Sequence, residues 1–229
     1  MSNNTASRDI RTLGYVTRRT NYGEADRILN IITPVGKIAA MAKGVRKEKS
    51  RLAGGVEMFT LTDFNIHRGK SDLAVVTGAK MIKYHGNIVK DFERLELAGM
   101  VLKKTSMAAE SSDSSDYFML TKQSLMGLDC GFNCELVEGW ILLNLLRAMG
   151  EEVNLYRDIN GEKLDGKERY EWGLGENCFC RKANGEYGVD EIKMLRLMSS
   201  VELGVASRVK GVEEMSRRVL PLIRVFAKM

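Results

Sequence analysis

Between Arg11 and Tyr84 the apolar residues fall into five short, β-branched runs, each bounded by turn residues, and none has the spacing of an amphipathic helix. The runs predict strands at about 12–18, 26–33, 37–45, 56–67 and 73–83. Thr33-Pro34-Val35-Gly36 joins the second to the third: the proline presets φ and the glycine tolerates positive φ. Arg68-Gly69-Lys70-Ser71 joins the fourth to the fifth, so both connections read as hairpins. Five closely spaced antiparallel strands with no intervening helix would leave exposed edges as an open sheet. Closing them into a small barrel removes those edges.

The expected class is therefore α+β, a five-stranded OB-type β-barrel followed by helices. The period changes after Gly86. Ile88, Phe92, Leu95, Met100 and Val101 predict a helix over about 88–110, and Phe118, Leu120, Leu125 and Leu128 predict a second. Between them, Ser111 to Asp116 is a polar connector rich in N-cap candidates. A third helix, about 135–149, carries Leu136, Trp140, Leu143 and Leu146 and stops at Gly150. Residues 151–189 lose the helical period and contain Gly161, Gly166, Gly173, Gly175, Gly185 and Gly188, which predicts an irregular insert with short strands. Helices resume near Asp190 and Gly211. This gives a barrel domain over 1–84 and a helical domain over 85–229.

Charge separates the same two parts. The whole chain is +5, yet residues 1–80 hold 14 Lys and Arg against 7 Asp and Glu. Such asymmetry points the barrel toward a polyanion. The densest basic stretch is Lys43 to Arg51, with five cations, one anion and then Leu52-Ala53-Gly54-Gly55. It is expected to be a mobile, solvated connector whose cations reach phosphates, assisted by Arg18, Arg19, Arg27 and Lys37. As an alternative it is a solvated loop only. Tyr15, Tyr22 and Phe59 are candidates for base stacking, against the core role that aromatics commonly play in strands.

Other chemistries find little support. Gly69-Lys70-Ser71 lacks the earlier glycine of a phosphate loop and joins strands instead of opening a helix. Gly173 and Gly175 are followed by Cys178 where a dinucleotide fingerprint needs glycine. His67 and His85 stand without a hydrolase motif, and the acidic residues sit beside cations as solvated pairs. No catalytic residue is expected, and the chain reads as a binding protein. Cys130 and Cys134 are spaced C-x3-C, and Cys178 and Cys180 C-x-C, unlike the usual zinc knuckle. Free thiols and no cofactor or metal are expected. The polar N-terminus, Met1 to Ser7, lacks a signal-like apolar core, and no stretch reaches the roughly 18 apolar residues of a membrane span. A cytoplasmic location without membrane attachment is expected.

One block of residues adds a resemblance. Tyr22-Gly23-Glu24-Ala25-Asp26-Arg27-Ile28-Leu29, Thr33-Pro34, Gly36-Lys37, Ala42-Lys43-Gly44-Val45-Arg46, Lys49-Ser50-Arg51-Leu52 and Phe59 together resemble the RecO family of DNA repair and recombination mediators. The likeness is strong over 11 to about 105 and collinear through the third helix and Met194 to Leu197. It implies a non-catalytic protein that binds single- and double-stranded DNA and anneals complementary strands. With RecR, such a protein helps load RecA onto strands coated by single-stranded-DNA-binding protein. Position by position, the implied DNA-facing residues are Arg27, Lys37, Lys43, Arg46, Lys49 and Arg51. Arg18, Arg19 and Lys47 join them on charge alone. An RNA-binding OB module and a metal-dependent nuclease remain as alternatives.

The chain departs from the family in two places. Many members carry two C-x2-C knuckles after the third helix, whereas here only Cys178 and Cys180 lie near the second, so the insert resembles a degenerate zinc finger. Members also dock the acidic, Phe-terminated tail of single-stranded-DNA-binding protein on the helical domain. Lys122 and Arg147 are the candidate cations for such a tail, but Glu135 and Glu138, where better-known members place arginines, would repel it.

Overall fold

The computed structural model describes residues 9–69, 73–110 and 115–228. The chain divides into two compact units, Met1–Asp129 and Cys130–Met229. The change from strands to helices falls near residue 84, but the first two helices group with the strands in the first unit.

Five strands build that unit: β1 (Asp9–Tyr22), β2 (Asp26–Thr33), β3 (Gly36–Ala42), β4 (Thr60–His67) and β5 (Ala74–Tyr84). They form a closed barrel in the order β1-β2-β3-β5-β4. All pairings are antiparallel except the closing one, where β3 runs parallel to β5 at Ala40↔Ala74 and Met41↔Val75. The expectation of an all-antiparallel set therefore fails at this one seam. The alternation of apolar residues explains the interior: Val16, Leu29, Ile31, Ile38, Phe64, Ile66 and Val76 point inward and pack with the small Ala40, Ala42 and Ala74. Gly14 on β1 is dictated by this packing, since a Cβ there would stand 2.6 Å from Ile31 Cγ2.

Helices α1 (Phe92–Ala108) and α2 (Asp116–Asp129) complete the unit. Asp91 caps α1 by accepting from the Arg94 N–H at 3.1 Å. The other end of α1 is tied to the barrel: Thr17 donates to Ser106 Oγ at 3.1 Å, and Lys37 donates to the Ser106 carbonyl at 3.2 Å and to Glu110 at 2.7 Å. The polar connector expected to cap α2 lies outside the described residues up to Ser114, as do Lys70, Ser71 and the N-terminal residues 1–8.

The second unit holds α3 (Cys134–Ala148), the hairpin β6 (Tyr170–Gly173) and β7 (Cys178–Arg181), α4 (Val189–Ser200), the single turn α5 (Leu203–Ala206) and α6 (Val212–Phe226). Asn133 caps α3 through the Leu136 N–H at 2.9 Å. Buried Trp140 on α3 donates its indole N–H to the Val201 carbonyl at 2.8 Å, and buried Asn144 donates to the Met198 carbonyl. The insert is less irregular than its glycines suggest. Trp172 packs edge-on to Phe179 and Phe226 at 5.1 and 4.6 Å between ring centroids, and Phe179 also meets Tyr170 and Tyr187. An aromatic cluster thus anchors the hairpin.

Candidate nucleic-acid interface

The basic stretch between β3 and β4 is folded, which corrects the expectation of a mobile connector. Asp26 accepts from the Gly44 N–H at 2.6 Å, and the Arg46 N–H reaches the Ala25 carbonyl at 2.9 Å. Val45 plugs into the barrel core, and Gly44 takes φ 63°, a left-handed conformation glycine adopts freely. Successive turns, Lys47 N–H to Gly44 and Ser50 N–H to Lys47, then carry the chain into the short helical turn Ala53–Val56. Gly55 lies so close to β5 that a Cβ would stand 2.6 Å from the Ala79 carbonyl oxygen. One buried valine and a series of backbone bonds therefore fix a loop whose charged side chains all face water.

The nine cations expected to face nucleic acid separate into two groups. Arg18, Lys43, Arg46, Lys47, Lys49 and Arg51 are exposed, and among the described residues no ion pair engages them. The Arg46 guanidinium donates to the Gly23 carbonyl, at 3.4 Å. The other three are partnered. Arg19 and Arg27 share the Glu57 carboxylate, Arg27 at 3.6 Å, and Arg27 also donates to Asn21 at 3.2 Å. Lys37, its side chain 15 % exposed, is held by Glu110, and its hydrogen bond in turn keeps the Glu110 carboxyl below its ordinary pKa.

The aromatic candidates also divide. Tyr15 is fully buried, its hydroxyl 3.1 Å from His85 Nε2, so it offers no ring to a ligand. Burial raises the pKa of the Tyr15 phenol and lowers that of the His85 ring. Burial works against the Asp129 carboxylate too, but the Asn87 N–H, Lys83 and His85 outweigh it and hold its pKa down. Phe59 is buried at φ 59°, a strained conformation for a bulky residue. Tyr22 is the exposed one of the three. Sequence reasoning missed Tyr84 and Met81, both half exposed near the end of β5. Their signal was the failure of period-two alternation there, where Met81 and Ile82 are adjacent and Tyr84 follows one residue on, at a strand end.

In the second unit the Glu135 and Glu138 carboxylates, expected to repel an acidic tail, are paired with α6. Arg217 donates to Glu135 at 3.1 Å, and Arg224 grips Glu138 through two nitrogens at 2.6 and 2.8 Å. Burial opposes the Glu135 charge, but hydrogen bonds, including that from Arg217, hold its pKa below the usual range. Arg147 donates to the Ser199 carbonyl at 2.8 Å and remains exposed, whereas Lys122, on α2, belongs to the first unit. Cys130 precedes α3 and Cys134 opens it, Cys178 and Cys180 lie on β7, and none of the four is in a disulfide. Among the described residues, no three His, Cys, Asp or Glu side chains converge as metal ligands. Among them, too, no helix is long and apolar enough to cross a membrane.

Comparison with known proteins agrees with the fold. The family model for the N-terminal region of recombination protein O matches residues 7–85. A DNA repair protein RecO of Dehalococcoides mccartyi is 30% identical over 217 residues, covering 90% of this chain and 84% of that protein. The RecO of Rubrobacter xylanophilus is 26% identical over 221 residues, 92% and 88% of the two chains. That of Alkaliphilus metalliredigens is 39% identical over 109 residues, 47% and 44% of the two chains.

Proposed function

Since the chain belongs to the RecO family of DNA repair proteins, we propose that its barrel grips single- and double-stranded DNA through the loop from Lys43 to Arg51. One observation carries this reading: six exposed cations, Arg18 and five in the loop, stand without ion-pair partners among the described residues of a closed barrel. Unpaired cations on a preordered loop release condensed counterions when they meet phosphates, and lose little conformational freedom in doing so. Arg19 and Arg27 join the contact beside Glu57, while Lys37 serves mainly to hold α1 on the barrel.

The mechanism that follows is annealing without catalysis. A strand held by its phosphates has its bases free, and partial neutralisation lowers the repulsion between two such strands. From the family we carry over a cytoplasmic mediator that works with RecR to load RecA onto strands covered by single-stranded-DNA-binding protein. With Glu135 and Glu138 neutralised by arginines, docking of that protein's acidic tail meets less repulsion than the sequence implies. Arg147 is the cation proposed for it in the second unit, and Lys122, in the first, is a separate candidate.

Mixing labelled complementary strands with the purified chain tests this. Annealing should proceed without nucleotide or divalent metal. A requirement for nucleotide, or strand cleavage in magnesium, would overturn it, and preferential binding of structured RNA in direct competition would favour an RNA-binding module.

A further inference from the structure

A cavity of about 330 Å3 opens on the barrel unit between the strand ends. Met58, Phe59, Met81 and Val89 supply its apolar lining, the Tyr84 ring joins them, and the Arg19–Glu57 pair forms the polar side. We infer that this cavity receives one unstacked nucleobase of the strand held by the Lys43–Arg51 loop, an inference that rests on the proposed strand binding.

Three observations lead there. The first is apolar surface left open to water: Met81, Tyr84 and Val89 are each nearly half exposed. A half-exposed aromatic among methionines offers the kind of surface on which bases of any sequence stack. The volume lies at the low end of ligand cavities, which suits a single ring system.

The second is charge. Glu57 lies between Arg19 and Arg27, so both guanidiniums already have a carboxylate partner and one net positive charge remains at the polar side. A phosphate passing the rim can touch Arg19 and Arg27, but one entering the cavity would meet the Glu57 carboxylate they already hold and an apolar wall. A neutral base meets a stacking surface, a guanidinium plane and a carboxylate that accepts from its N–H groups.

The third is continuity with the cationic loop. Arg46 rests on the carbonyls of Gly23 and Ala25 in the β1–β2 turn. From that turn β2 leads to Arg27, which contacts Asn21 and Glu57. Phosphate grip and base cavity are thus joined through one hairpin end. Phe59 holds the cavity floor in its left-handed conformation, with its carbonyl fixed by the His85 N–H at 3.0 Å. Strain of this kind persists only where surrounding structure enforces it, and such sites are enriched at ligand contacts.

The test compares two labelled strands of about 16 nucleotides, the upper end of the site sizes of such folds. One is oligothymidylate and the other a fully abasic strand of equal charge. Tyr84→Ala should weaken oligothymidylate binding by about five- to a hundredfold, the range of one lost stacking contact. It should leave abasic-strand affinity and its salt dependence unchanged, and Tyr84→Phe should retain both affinities. No change with either strand, or an equal change with both, overturns the cavity as a base site. If Tyr84→Ala does not fold, as judged by its melting transition, Met81→Gln is read against the same two strands by the same criteria. The underlying reading fails differently: the wild-type chain would then bind neither strand, or bind without salt dependence.

Discussion

The two units use arginine and lysine in opposite ways. The first holds 20 Lys and Arg against 14 Asp and Glu, the second 15 against 16. In the second, α6 directs Arg217, Arg218 and Arg224 onto Glu135, Glu191 and Glu138, so its cations complete helix packing. In the first, the loop cations face solvent without such partners. Cations already satisfied inside the protein have little to give a phosphate, and unsatisfied ones have much. Net charge alone therefore understates the contrast.

The comparison predicts that the second unit can be weakened without loss of strand binding. Phe179 is fully buried against three aromatic rings, so Phe179→Ala should cost about 3–5 kcal/mol, read as an early unfolding transition. Strand affinity at a temperature where the variant stays folded should remain within about twofold, a difference under 0.5 kcal/mol. A parallel loss of affinity would place part of the binding surface in the second unit.

A smaller effect separates the units by pH. Burial disfavours the charged His85 ring, so its folded pKa lies below the ordinary 6.5. The unfolded chain then binds the proton more readily, and the stability tied to neutral His85 is full above 6.5 and lost as pH falls below it. Asp129, also depressed, adds a loss at lower pH, beginning near 3.8. His85→Gln should reduce the acid slope of the first unit's melting transition just below 6.5 and leave the second unit's transition alone. An unchanged slope would mean that the Tyr15–His85 contact is not the titrating element.

The smallest effect belongs to the surface pairs. Arg224→Ala should cost about 0.2–1 kcal/mol, as exposed pairs do, and should not alter strand binding. If it strengthens or abolishes strand binding, α6 takes part in recognition. Treatment with a chelator should likewise leave both melting transitions where they were, because the hairpin is held by rings and not by its thiols.

What the sequence made legible follows from how local each signal is. β2 was readable to the residue because Asp26 begins it and Thr33-Pro34 ends it, both local turn chemistry. β1 was read too short at both ends, since its extension to Asp9 and Tyr22 depends on pairing with β4 and β2. The parallel β3–β5 seam is a tertiary fact with no local mark. The aromatic anchor of the insert escaped notice because Tyr170, Trp172, Phe179, Tyr187 and Phe226 are scattered over 57 residues. At the site, the cations were legible as charge, but their sorting into paired and unpaired was not. Glu57 pairs with Arg19 and Arg27 from 38 and 30 residues away.

The central claim is that the ordered loop from Lys43 to Arg51 is the phosphate grip. It is tested most directly by the salt dependence of single-strand affinity in the full chain. For single strands log K falls against log salt with a slope of about −0.7 per neutralised phosphate. Changing Arg46, Lys47, Lys49 and Arg51 together to alanine should flatten that slope by roughly two or more units and leave both melting transitions in place, since Val45 and the backbone bonds that hold the loop are untouched. A quadruple variant that folds normally and keeps the wild-type slope would contradict the account and move the grip elsewhere on the molecule.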